Sequence, residues 1–272
     1  MNFLTKHDVR SIVSDAEQTY LKSANAWAVT QRTIFIDDLL EMRDMRGPNS
    51  KRAALLMSPD EGLLLLDLLR GKHTKHYIEW GSGGSTELVS WLLMSKQLSH
   101  ASSFRAYSVE SSLPWIETLN NRSSLVAQAV SEGQLRFLHG DFGPTGVFGF
   151  PKEEPSRLPS GAAMRYIDPT DVPSQRKFDV ALVDGRFRVA CAYSAALRLA
   201  PNGTILLHDF GPPMLPARRS EYESLLREGH FSLKSLVGSL AVLRLNHKLP
   251  LDGPAMQALR VRRDEWAVKS AA

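Results

Sequence analysis

From residue 76 onward the chain alternates short apolar runs with longer stretches of helical length. Apolar runs of strand length fall at 77–80, 104–109, 135–138, 178–183 and 204–207, and helix-length stretches at 86–97, 113–130 and 187–199. Strands that alternate with helices predict a parallel sheet covered on both faces. Runs that are apolar throughout, such as Val180-Ala181-Leu182-Val183 and Ile205-Leu206-Leu207, suit its central strands. Before this pattern, Ser58-Pro59-Asp60-Glu61 opens a leucine-rich segment. A serine to cap, proline at the first helical position and glutamate three residues on form a capping box. The helix it starts is predicted to run to about Leu69 and to end at Gly71.

The two ends of the chain read differently. Residues 232–245 look like two strands meeting at Gly238-Ser239, a hairpin signal. Residues 1–56 read as a helical N-terminal extension of mixed polarity, with helical spacing over 33–42 and a break over 46–50. Residues 251–272 form a C-terminal tail. Between them lies one domain, 57–250, interrupted by 142–177. That stretch holds Pro144, Pro151, Pro155, Pro159, Pro169 and Pro173 and shows no periodicity. It falls where a helix should cross between the third and fourth strands, and reads either as a flexible lid or as a disordered insertion.

Composition narrows the class. The 272 residues, 43% hydrophobic and 23% charged, are those of an ordinary globular chain with ample material for a core. A net charge of +4 is too small for a dedicated nucleic-acid binder, and the five tryptophans form no base-stacking pattern. A nucleic-acid partner is not expected. Apolar runs such as 63–66 fall far short of the ~20 residues of a membrane span. The N-terminal MNFLTKHDVRSIVSDAEQ lacks an apolar signal region. Cys191, in Val189-Ala190-Cys191-Ala192, is the only cysteine, so no intrachain disulfide forms, and a buried structural thiol is expected. The expectation is a cytoplasmic chain with no membrane partner.

The candidate chemistry gathers where the apolar runs stop. The first run ends in Glu79-Trp80-Gly81-Ser82-Gly83-Gly84-Ser85-Thr86. Glycines after a strand allow a sharp turn and close approach of a ligand to backbone, and the following helix N-terminus offers unpaired amides. Such a turn also serves plain strand-to-helix connection. Glu110, Asp141 and Asp184 follow the next three runs. Ligands of an open parallel sheet bind outside the carboxyl ends of its strands, so four acids would surround one crevice. Glu110, after one further helix and strand, stands where an acid hydrogen-bonds ribose hydroxyls. Each acid taken alone also fits a solvated strand end.

The run Glu79 to Thr86, then Ser108-Val109-Glu110, His139-Gly140-Asp141, Leu182-Val183-Asp184-Gly185 and Ile205-Leu206-Leu207-His208-Asp209, resembles the class I S-adenosylmethionine-dependent methyltransferases over roughly residues 58–245. The resemblance implies a doubly wound, seven-stranded, mostly parallel sheet with an antiparallel last strand, a Rossmann-like α/β fold. It implies that Gly81, Ser82, Gly83, Gly84 and Ser85 pass against the methionine part of the cofactor. It further implies that Glu79 lies near the ammonium group, that Glu110 binds the ribose, and that Asp141 faces the adenine. Carboxylates suit a ligand that carries a sulfonium and an ammonium, whereas Glu79 would repel a dinucleotide pyrophosphate. A nicotinamide-dependent oxidoreductase on a similar sheet is therefore the second reading. A cofactor-binding protein without turnover is the third.

Asp184 and Asp209 end the fourth and fifth runs and are suited to share a divalent cation such as Mg. Here the chain resembles the metal-dependent O-methyltransferases, although Phe210 stands where that family usually has an amide ligand. His208 is the candidate general base for methylating a hydroxyl, or else a hydrogen-bonded histidine at a strand end. Asp184 and Asp209 complete the catalytic set. Arg186 and Arg188 are suited to a substrate carboxylate or phosphate, or to a structural role. Asp184-Gly185-Arg186-Phe187-Arg188 with His208-Asp209 also resembles glucuronoxylan methyltransferase-like proteins, which implies a small-molecule or sugar-acid substrate.

Overall fold

The computed structural model describes residues 57–95, 97–98, 101–146, 152, 161–173, 175–210, 216–248 and 251–269. The expected helical extension over 1–56 lies outside them. The first helix, α1 (Pro59–Arg70), begins as the sequence predicts. Glu61 N–H donates to Ser58 Oγ at 3.4 Å, and Ser58 N–H donates to Glu61 Oε2 at 2.6 Å.

Strands and helices then alternate: β1 (His76–Trp80), α2 (Gly84–Met94), β2 (Arg105–Glu110), α3 (Leu113–Arg122), α4 (Ser124–Ser131), β3 (Leu135–His139), α5 (Ala162–Ile167), β4 (Phe178–Val183), α6 (Arg188–Leu197) and β5 (Leu199–Leu207). The chain finishes with α7 (Pro216–Arg227), the hairpin β6 (Phe231–Val237) and β7 (Leu240–Leu245), and α8 (Gly253–Lys269). One seven-stranded sheet runs in the order β3-β2-β1-β4-β5-β7-β6. β7 pairs antiparallel with both β5 and β6, and the other described pairings are parallel. This is the doubly wound sheet with an antiparallel end that the sequence predicts.

Two apolar cores sandwich the sheet because successive side chains on a strand point to opposite faces. Ile78, Trp80, Ala181, Val183, Ile205 and Leu207 join one core, while Tyr77, Val180, Leu182 and Leu206 join the other. Glu79 shares the face of Tyr77, beneath α2. That placement decides its role below.

The helix expected over 113–130 is two helices. Ser123 is extended (φ −121°, ψ 110°) and caps α4, and its hydroxyl donates to the buried Glu87 at 2.8 Å. Two consecutive serines offered the backbone a side-chain alternative to continued helix. Ser123→Ala removes the cap and a donor to Glu87, and should lower the free energy of unfolding by about 1–2 kcal/mol in a urea titration. The 142–177 segment contains α5, whose Tyr166 and Ile167 are fully buried, and the 251–272 tail contains α8, whose Leu259 and Trp266 pack into the core. Among the described residues no helix is long and apolar enough to cross a membrane.

Candidate active site

The strand order reverses between β1 and β4, which opens a crevice at their carboxyl ends. The two loops that leave these strands touch through backbone. A Cβ on Gly81 (φ +98°) would lie 2.8 Å from Gly185 N and Cα, and one on Gly185 would lie 1.9 Å from Tyr166 Oη. Glycine is required at both positions. Gly83 differs: its φ of 171° is open to any residue, and a Cβ there meets nothing within 4 Å. The loop is thus pinned at Gly81 and opens at Gly83, just before Gly84 starts α2.

Glu79 stands beneath this loop. It is fully buried, and four hydroxyls donate to it: Tyr77 and Ser85 to Oε2, Thr86 and Ser108 to Oε1. Burial pushes its carboxyl above the ordinary range, and the hydroxyls oppose that. Glu79 thus stands beneath the loop and not at its open edge. Its side chain points to the α2 face of β1, so it braces the loop from below. This collar, which Ser85 and Thr86 form with residues of two strands, carries no local sequence signal.

Glu110 stays at the rim of the crevice, 8% exposed. Its Oε1 accepts from Ser111 N, Ser112 N and Ser111 Oγ at 2.7, 2.9 and 3.1 Å, whereas Oε2 accepts from Ser82 N at 3.2 Å. Ser82 Oγ also bonds Ser108 Oγ at 2.9 Å, which links this carboxylate to the Glu79 collar. Trp115, unassigned by the sequence, donates its indole N–H to Ser82 O at 2.9 Å and fixes the loop from outside. Asp141 is exposed at the end of β3 and accepts from Gly143 N at 2.8 Å. Beside it, Phe142, Tyr166 and Phe187 pack edge-on or tilted to one another. Tyr166 comes from the segment expected to be structureless, too short a helix to show periodicity.

The ends of β4 and β5 carry a second cluster. His208 Nδ1 lies 2.8 Å from Asp184 Oδ1 and 3.6 Å from Asp209 Oδ1, and its Nε2 lies 3.6 Å from Glu61 Oε2. Glu61 also accepts from Ser239 N at 2.6 Å and Ser239 Oγ at 2.8 Å, tying α1 to the β6–β7 turn. The sequence shows Glu61 only as a capping residue. Burial works against the imidazolium, but the bond to Asp184 and the nearby carboxylates of Asp184, Glu61 and Asp209 prevail and raise the His208 pKa to about 10. Burial likewise works against the Glu61 carboxylate, but the imidazole of His208 3.6 Å away and bonds from Ser58 and Ser239 bring it down to about 2. The raised pKa favours the protonated imidazole, and Nδ1, the nitrogen nearest the other acids, is taken up by Asp184.

Arg188 takes the structural arrangement, one of the two that the sequence leaves open. Its five N–H donors point at Gly185 O (3.0 Å), Asp184 O (3.0 Å), His208 O (2.9 Å), Asp184 Oδ1 (3.2 Å) and Asp209 Oδ2 (2.6 Å). This is a buried brace between two loops and has no donor left for a substrate. Arg186 is half-buried and its backbone N–H meets Tyr166 Oη at 3.4 Å. Asp209 holds a left-handed backbone (φ 59°), sparsely populated for a non-glycine residue, with a side chain 45% exposed. Cys191 is buried, and burial raises its thiol pKa, consistent with a structural residue.

Asp184, His208 and Asp209 bring one ligand atom each within 4.8 Å of one another. The set does not fit a divalent cation. The Arg188 guanidinium already spans the two carboxylates, and His208 Nδ1 is taken up by Asp184 Oδ1.

No family model matches the chain, and no curated protein matches it. Among solved structures, a methyltransferase-like protein from Silicibacter pomeroyi is 24% identical, with a TM-score of 0.55 over 78% of this chain and 97% of that one. A methyltransferase from Geobacter sulfurreducens is 18% identical (TM-score 0.42, over 79% and 89%). A precorrin-6y C5,15-methyltransferase from Geobacter metallireducens is 11% identical (0.43, over 71% and 91%). The fold is that of the class I S-adenosylmethionine-dependent methyltransferases.

Proposed function

We propose that the chain is an S-adenosylmethionine-dependent methyltransferase that acts on an oxygen of a small molecule or sugar acid without a metal. One observation carries this reading. At the switch point of the sheet, a braced glycine turn opens at Gly83 beside Glu110, whose Oε2 accepts one 3.2 Å bond, from Ser82 N, among the described residues. Open backbone with a carboxylate suits a ligand that bears hydroxyls and positive charge.

Glu110 would hold the ribose hydroxyls, and Ser82 to Ser85 would line the rest of the cofactor. S-adenosylmethionine supplies, when bound, an electrophilic methyl group on a sulfonium. Asp209, the more exposed of the two acids beyond the loop, takes the proton of the acceptor hydroxyl on its carboxylate. Arg188 and His208 hold that carboxylate in place from behind. Arg186, on the same loop, would meet an acidic acceptor. Most of the rate would come from alignment of acceptor and donor.

Calorimetric titration tests the reading. The full chain should bind S-adenosylmethionine at micromolar concentration and should not bind NAD. Glu110→Ala should weaken that binding about 10–100-fold, the worth of charge-assisted bonds. A folded chain that binds no S-adenosylmethionine overturns the proposal. Asp209→Asn should leave cofactor affinity within about twofold and lower turnover, read as S-adenosylhomocysteine release over a panel of hydroxylated acids, by about 10²–10⁴-fold.

A further inference from the structure

We infer that Arg188 is the resident cation of this site: its guanidinium takes the place between Asp184 and Asp209 that a divalent metal would need, so the acceptor oxygen meets a carboxylate and not a metal ion. The inference concerns the crevice of the proposed methyl transfer and rests on that reading for its meaning.

The geometry is specific. A cation shared by the two acids must sit about 2.0–2.6 Å from an oxygen of each. On the Arg188 side of the cluster that space is filled, with one guanidinium nitrogen 3.2 Å from Asp184 Oδ1 and another 2.6 Å from Asp209 Oδ2. The guanidinium cannot swing out at low cost, because its remaining donors hold the carbonyls of Asp184, Gly185 and His208. Leaving would take a bond from three backbone acceptors and from both carboxylates. Arg188 side-chain exposure is 7%.

The location of the arginine supports the same conclusion. Arg188 is the first residue of α6, where the helix dipole disfavours positive charge. The preceding residue, Phe187, is left-handed (φ 53°). Neither feature helps the helix. Together they aim a cation at the ends of β4 and β5. Arg188 bonds both Asp184 and Asp209, and His208 Nδ1 lies 2.8 Å from the same Asp184 oxygen, so both acids already have partners. A metal would have to displace a buried, fully bonded guanidinium to gain two ligands.

Arg188 is a positioning residue, and the test reads metal binding and not catalysis. Mn²⁺ is titrated into the full-length chain and followed by the loss of the free-ion electron paramagnetic resonance signal, with no S-adenosylmethionine present. The wild-type chain should show no binding below about 1 mM. Arg188→Gln should acquire binding at least ~10-fold tighter, and adding Asp209→Asn should abolish it. Micromolar Mn²⁺ binding by the wild type that Asp184→Asn or Asp209→Asn removes overturns the inference. So does a folded Arg188→Gln chain that stays silent. Should Arg188→Gln fail to fold, the wild-type melting temperature decides: it should move by less than about 1 °C on addition of 10 mM Mn²⁺ or Mg²⁺, and a rise of several degrees would overturn the inference, since a ligand of the native state stabilises by mass action. Because neither measurement contains S-adenosylmethionine, failure of the methyltransferase reading shows only in the calorimetry.

Discussion

Gly81→Ala is expected to lower the melting temperature by roughly 6–12 °C and to weaken S-adenosylmethionine binding by more than ~100-fold, while Gly83→Ala loses only the binding. The contrast follows from what a methyl group meets. At Gly81 it would stand 2.8 Å from the backbone of Gly185, on a residue with φ of +98°. Neither neighbour is a flexible side-chain end, so the β1 and β4 loops must part. The conformation costs about 1–2 kcal/mol and the overpacking about 1–3 kcal/mol. At 2–4 °C per kcal/mol for a domain of this size, a loss of about 3 kcal/mol gives the stated shift. At Gly83 the backbone is extended and the methyl enters open space. Folding has no reason to suffer, and only a ligand that needs that space will notice. Differential scanning calorimetry and titration calorimetry on both variants separate the two effects. Unchanged cofactor binding in a folded Gly83→Ala chain would mean that the turn is only a turn.

Gly81 also shows what a sequence conveys. The glycine turn, the acids at strand ends, the capping box and the hairpin were legible because each is local chemistry at fixed spacing. The direction in which a side chain points was legible only where strand periodicity could be counted from a known face. Glu79 looked like a lip residue because it nearly ends a strand. The alternation of β1 turns it under α2 instead, into hydroxyls that include Ser108, 29 residues away. Glu61 was visible as a cap, but its bond to Ser239 spans 178 residues. Arg188 and His208 lie together at the ends of β4 and β5, but the partners they take there were not legible, because a donor that would serve a substrate serves a neighbouring loop equally well. The helix α5 hid among prolines, and six residues give too little period to recognise. What failed was partner choice, which depends on long-range packing.

Partner choice also sets the pH response of the β4–β5 end, and His208→Asn should expose it. The His208 pKa is about 10 in the folded chain against an ordinary 6.5. A group with a raised folded pKa contributes its full stability below its unfolded value and loses it as pH rises through the folded one. The contribution of His208 is thus complete below about pH 6.5 and declines until about pH 10. Glu61, brought down to about 2 from 4.5, behaves oppositely: its contribution is complete above about pH 4.5 and is lost as pH falls toward 2. The pair therefore acts at full strength only between about pH 4.5 and 6.5. Urea denaturation of the wild type should show stability falling between pH 6.5 and 10, and the His208→Asn chain should lack that slope. Near pH 6 the variant should be less stable by about 3–5 kcal/mol, because Glu61 and Asp184 lose a buried partner. Near pH 10 the difference should shrink to about 1–2 kcal/mol of lost packing. Glu61→Gln should remove the acidic limb and weaken the alkaline one, since each group sets part of the other's shift. A difference between wild type and His208→Asn that stays constant from pH 6 to 10 would mean that His208 is neutral in the folded chain. It would then be free to take a proton after all, and the base would pass from Asp209 back to the histidine.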